Sequence, residues 1–137
     1  MRLFHLQKLK SRLFVCLPAF FAVLILPTSV QLFADTNSVA SEVEINHFFT
    51  YLNESGCEFY RNGTWYKANQ ASDHLRQKYE YLKSRGRVTS AEDFIRNAAT
   101  QSSMSGEAYQ VRCPNKAPVR SEKWFNTELR VFRESKK

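Results

Sequence analysis

Three histidines and a cluster of serines are the side chains of this sequence best suited to acid–base or nucleophilic chemistry. His74 lies in the stretch RNGTWYKANQASDHLRQKY, residues 61–79. Imidazole titrates near neutral pH and is the usual general acid or base. Asp73 adjoins it, but neighbouring residues on a helix do not face each other. The helical partners of His74 are Gln70, Gln77 and Lys78, and none is an orienting carboxylate. A carboxylate would have to come from elsewhere, from Glu92 or Asp93. Ser102, Ser103 and Ser105 occur in SSMSGE, residues 102–107. A nucleophilic serine needs an activating base within hydrogen-bond reach, and the sequence has neither a GxSxG elbow nor an SxxK pair. The alternative is structural: serine and glycine satisfy loop backbone, and His74 sits at the margin of the core. No residue is therefore assigned a catalytic role, and a small hydrolase using His74 with Ser103 or Ser105 is the second reading. His47, beside an apolar stripe, reads as a surface residue, and His5 lies in the N-terminal segment described below.

A different chemistry is offered by aromatic residues among charges. Asn62-Gly63 stands between two aromatic, strand-favouring runs, CEFYR and TWYK. Such a dipeptide specifies a type I′ hairpin, whose two central residues need positive φ. The turn sets the register: Arg61 faces Thr64, Tyr60 faces Trp65, and Phe59 faces Tyr66. A third strand, AYQVRC (108–113), is bounded by Gly106 and Pro114. Pairing it antiparallel with 57–61, with a disulfide setting Cys113 near Cys57, puts Val111 opposite Phe59. One sheet face then carries Cys57, Phe59, Tyr66, Val111 and Cys113; the other carries Glu58, Tyr60, Trp65, Lys67, Gln110 and Arg112. The first is a core face. The second is solvated, and its Tyr60, Trp65 and Arg112 could stack on a sugar or grip a peptide. Hairpin stabilisation alone would also account for the Tyr60/Trp65 pair.

Helices must cover the core face. Ile45, Phe48, Phe49 and Leu52 recur at helical spacing, and Gly56 is placed to end that helix. A second helix is expected over 69–83, with Ala71, Leu75 and Leu82 as its apolar line and Tyr79 at the margin. Thr89 with Glu92 reads as a capping box opening a third, whose buried stripe is Ala91, Phe94, Ile95 and Ala98. Ser121 caps a last helix facing inward through Trp124 or Phe125, Leu129 and Phe132. The expected fold is α+β: a short three-stranded antiparallel sheet with about four helices packed mainly on one face.

The chain has 137 residues, enough for a single such domain. Arg2, Lys8, Lys10 and Arg12 precede the apolar run LFVCLPAFFAVLIL (13–26), the layout of a secretory signal peptide. The run is short for a membrane span of about 20 residues, although an uncleaved anchor is the alternative. Cleavage is expected after Ala34, with Ala40 as the second choice. Residues 1–34 are then a leader, 35–41 (DTNSVAS) a flexible tether and 42–137 one α+β domain. The net charge of +7 overstates the basic character. Of 20 Lys and Arg, four lie in the leader with no acid, leaving 16 against 13 in the rest. No basic stripe of the kind that tracks phosphates is present, which argues against nucleic acid. Cys16 belongs to the leader, so Cys57 and Cys113 form one pair, and export to an oxidising compartment permits their disulfide. Two buried thiols are the alternative. Neither cysteine has metal-ligand spacing, and no cofactor is implied. The sequons at Asn53 and Asn62 matter only in a eukaryotic secretory path.

The motifs FYRNG, ANQASDHLRQKY, TSAEDFI and SSMSGEAY occur in that order. Together they resemble the YfeK-like family of small exported bacterial proteins, a domain of unknown function, over about residues 42–132. The resemblance implies a leader, a periplasmic address and an uncharacterised α+β domain, and it brings no catalytic set. Its pattern centres on Arg61, Asn62, Gly63, His74, Leu75, Arg76, Glu92, Phe94, Ser103, Ser105 and Gly106, and leaves out the cysteine pair. Turn, cap and core roles account for Gly63, Glu92 and Phe94. Arg61, His74, Arg76 and Ser105 would form one polar cluster if Arg61 ends the central strand beside the second helix.

The leading expectation is a periplasmic or secreted, non-catalytic binding or interaction module. It would use the Tyr60/Trp65/Arg112 face or the Arg61/His74/Arg76 cluster on an envelope protein or glycan, with no stable membrane insertion once the leader is removed. A structural or stress accessory without a small ligand is the third reading.

Overall fold

A computed structural model describes residues 32–137, with side chains from Ser38 onward. The leader expected over 1–34, apart from its last three residues, lies outside them. Four helices pack with a four-stranded antiparallel sheet of order β2-β1-β3-β4. The chain runs α1 (Leu32–Glu54), β1 (Glu58–Arg61), β2 (Thr64–Lys67), α2 (Ala68–Lys83), α3 (Ala91–Phe94, continued as a π-turn over Ile95–Ala99), β3 (Gln110–Arg112), β4 (Val119–Arg120) and α4 (Ser121–Glu134).

The hairpin follows the Asn62-Gly63 rule. Asn62 has φ +48° and Gly63 φ +84°, and Arg61 pairs with Thr64, Tyr60 with Trp65, and Phe59 with Tyr66. Val111 faces Phe59 as expected. Cys57 and Cys113, just beyond the ends of β1 and β3, form a disulfide. The sheet exceeds the expected three strands by β4, two residues that pair Val119 with Val111 and Arg120 with Gln110. A strand so short has no alternation to reveal it.

The helical stripes fall where their spacing puts them. Ile45, Phe48, Phe49 and Leu52 of α1 are buried, as are Leu75, Tyr79 and Leu82 of α2 and Phe125 and Leu129 of α4. Phe94 is the hub: fully buried, it meets the rings of Phe48, Phe49, Tyr79 and Phe125 at centroid distances of 5.5–6.0 Å. The wider π-turn after it buries Ile95, Ala98 and Ala99 together, and the Thr100 hydroxyl donates to the Ile95 carbonyl at 2.8 Å. Trp124 of α4 packs edge-on against Phe59 of the sheet, 5.4 Å between centroids.

Four local readings change. Residues 35–41, expected as a tether, are helical and extend α1. Once packing holds 45–52, each added turn propagates cheaply, and Glu42 forms an ion pair with Lys83 of α2. The cap of α3 is Ser90, not Thr89: its hydroxyl accepts from the Asp93 amide at 3.0 Å, and the Asp93 carboxylate accepts from the amide and hydroxyl of Thr89. Glu92 is thereby released from capping and pairs with Arg133, which also holds Glu44 and so joins α1, α3 and α4. Ser121 is the first residue of α4, with Arg120 at the N-cap. His47 is not a free surface residue, because its Nε2 lies 2.6 Å from Glu128 of α4 and its ring stacks on Phe132.

Candidate functional site

Along β1 the core face is formed by alternate residues, Cys57 then Phe59, and the next in the series is Arg61. A guanidinium therefore stands at the end of an apolar face. Along β3 the same series reads Val111 then Tyr109, and extending the β1–β3 register by one step brings Tyr109 opposite Arg61. The helix α2 follows β2 with no intervening loop and lays Ala71, His74 and Leu75 over this end of the sheet. Between them lies a pocket of about 150 Å³, lined by Phe59, Tyr66, Ala71, Leu75 and Tyr109, with Arg61 and His74 among its polar groups.

Arg61 Nη1 lies 2.6 Å from Nδ1 and 2.9 Å from Nε2 of His74. Its guanidinium is 5.3 Å from the centroid of the Tyr66 ring. The Tyr109 hydroxyl is 3.4 Å from His74 Nε2. Lys78, one turn beyond His74, donates to the Gln101 carbonyl at 2.7 Å and lies over the Tyr109 ring. Among the described residues neither Arg61 nor Lys78 has a carboxylate partner. The titration of the group follows from that. Burial first, then the charges of Arg61 and Lys78, hold His74 below the ordinary histidine range. Burial, and next Arg61, push Lys78 down to about 8. Burial raises Tyr109.

The other residues suggested by the sequence separate. Arg76 points away from this site: its guanidinium lies 4.1 Å from the centroid of Phe49 in the core. Ser105 donates to Asn62 Oδ1 at 2.8 Å and ties the serine loop to the hairpin tip. Ser103 is exposed. Neither serine is hydrogen-bonded to His74, so the base–nucleophile contact of a hydrolase is not made. Ser102 organises the loop instead: buried, its hydroxyl accepts from the amides of Met104 and Ser105. On the solvated face Tyr60 and Trp65 are neighbours at 5.3 Å, and Arg112 lies over Trp65 while bonding Glu58 at 2.8 Å. Tyr60 donates to Glu107 at 2.9 Å, which raises the pKa of its hydroxyl. These groups satisfy one another as a cross-strand ladder.

Tyr66, Tyr109 and Lys78 were not singled out as site residues from the sequence. Lys78 was in view only as a helical neighbour of His74. Continuing the alternation one residue past β3 would have found Tyr109.

No group of three or more His, Cys, Asp or Glu able to hold a metal occurs among the described residues. No helix among them is long and apolar enough to cross a membrane.

No curated protein and no solved structure matches the chain. Nothing in these comparisons ties it to the YfeK-like group that its motifs resemble, but an uncharacterised family is what they show. The sequence model of that family matches residues 39–133, and the chain belongs to the Family of unknown function, DUF5329.

Proposed function

We propose that this protein is an exported, non-catalytic binding module of the bacterial envelope, and that its ligand enters the pocket lined by Arg61 and His74. One observation carries the reading: Arg61 meets a half-buried imidazole beside apolar walls, with Lys78 one helical turn away, and among the described residues no acid answers either cation. A cation partly withdrawn from water and given no counter-charge costs stability, so its retention fits a charge supplied by a ligand. A pocket of about 150 Å³ takes one small molecule or one end group of a larger envelope component, not a stretch of polymer. Export is supported by the leader-like N-terminus and by a disulfide, which persists in an oxidising compartment.

The test is fragment screening by amide chemical shifts on the exported chain. Binders are expected to cluster on the signals of Arg61, His74 and Tyr109 and to be lost in Arg61→Ala. Binders that move only Tyr60, Trp65 and Arg112 would shift the function to the opposite sheet face. Retention of the chain in the cytoplasm would refute the envelope assignment.

A further inference from the structure

We infer that the ligand group is a carboxylate carried on a small apolar ring, with the carboxylate on Arg61 beside His74 and the ring against Phe59, Tyr66, Ala71 and Leu75. The inference rests on the pocket being a binding site, and three features narrow the class. The first is charge. A guanidinium has five N–H donors in a planar fork, and among the described residues Arg61 uses one nitrogen, on His74. The rest of the fork is unclaimed by the described residues, and a fork suits the two oxygens of a carboxylate. The second is the number of charges. Lys78 adds positive field, but its amine is bound to the Gln101 carbonyl. Only one contacting cation remains, which suits a monoanion; phosphate, with more charge to desolvate, would meet apolar walls. The third is size. The volume of about 150 Å³ equals that of an engineered apolar cavity of ~150 Å³ that admits benzene.

The probes are benzoate, benzamide, acetate and inorganic phosphate, titrated against the exported chain while the Arg61, His74 and Tyr109 signals are followed. Benzoate is expected to saturate these signals and to bind at least ~10-fold more tightly than each of the other three, a difference of ~1.4 kcal/mol. Arg61→Gln should weaken benzoate at least ~10-fold and Arg61→Lys by less, because lysine keeps the charge but loses the fork. Arg85→Gln, a surface control, should leave it unchanged. Both Arg61 variants are read only after their spectra show the native fold; should either fail that check, His74→Gln takes its place with a weakening expected. Benzamide binding as tightly as benzoate would leave the pocket a binding site and overturn the carboxylate. Acetate or phosphate binding as tightly would overturn the ring. If no probe, and no fragment of the wider screen, moves these signals, the pocket reading falls as well.

Discussion

One nitrogen of Arg61 lies within 3 Å of both ring nitrogens of His74, at 2.6 and 2.9 Å. A guanidinium only donates, so the imidazole nitrogen it addresses must keep its lone pair, and His74 is held neutral. This has a pH consequence with a definite sign. The folded-state pKa is below the unfolded value, so as pH falls from ~6.5 the unfolded chain takes up the proton first and stability is lost. Urea midpoints at pH 7 and pH 5 should therefore differ, and His74→Asn should shrink the difference. Glu92 and Asp93, both held below the ordinary carboxylate range, add their own losses lower, near pH ~4 and beneath. An undiminished slope in His74→Asn would show that the pair does not govern the window.

Arg61 offers a separation of stability from binding. It stands at the end of an apolar face with no ion pair among the described residues. Arg61→Leu is expected to bind benzoate at least ~10-fold less tightly while gaining ~0.5–1 kcal/mol of stability, as replacements at sites kept for function often do. Chemical denaturation alongside the binding titration checks both. A loss of more than ~2 kcal/mol would make Arg61 a structural residue instead.

The disulfide spans 56 residues of sequence. In the chain-entropy model a closure of this length contributes ~4 kcal/mol. Cys57→Ser with Cys113→Ser should lower the unfolding free energy by about that amount, and reductant should reproduce the loss in the native chain without further effect on the variant.

Phe94 is the most exacting core position. It is fully buried and touches the rings of four other aromatic residues from α1, α2 and α4. Phe94→Ala should cost ~3–5 kcal/mol through lost transfer free energy and the cavity left behind. Phe132→Ala, at the partly exposed end of α4, should cost much less. Thermal unfolding of the two variants ranks them.

How much of this was readable beforehand depended on whether a local rule reached the residue. The hairpin was legible because Asn62-Gly63 fixes turn type, and turn type fixes register. The Phe59–Val111 pairing was legible only by letting the Cys57–Cys113 disulfide set the register of the third strand. The α1 stripe was legible from periodicity. The cap of α3 was not, because Thr89 and Ser90 are adjacent hydroxyls with an acid three residues after each, and only packing chooses between them. The tether was misjudged for a related reason: small polar residues are compatible with helix when a packed segment follows them. At the site, Arg61 and His74 were selected and do meet. Arg76 was grouped with them through the pattern that the family resemblance implies, yet two residues along a helix is a large rotation, and it turns to Phe49. Lys78 and Tyr109 lie within the quoted motifs, but only their tertiary contacts with Gln101 and His74 bring them to the site.

Arg61, His74, Lys78 and Tyr109 lie between the two cysteines in sequence, and α1 and α4 lie outside them, with Ser121 of α4 the one lining residue of the pocket beyond Cys113. The covalent circuit thus encloses Arg61, His74 and Tyr109 and excludes two of the helices that bury the core. A single backbone cut at the exposed turn after α2, in residues 84–87, would leave Arg61 with His74 on one fragment and Tyr109 on the other, still joined through sulfur. Such a nicked protein would run as one species until reduced, and then as two, with the pocket divided between them.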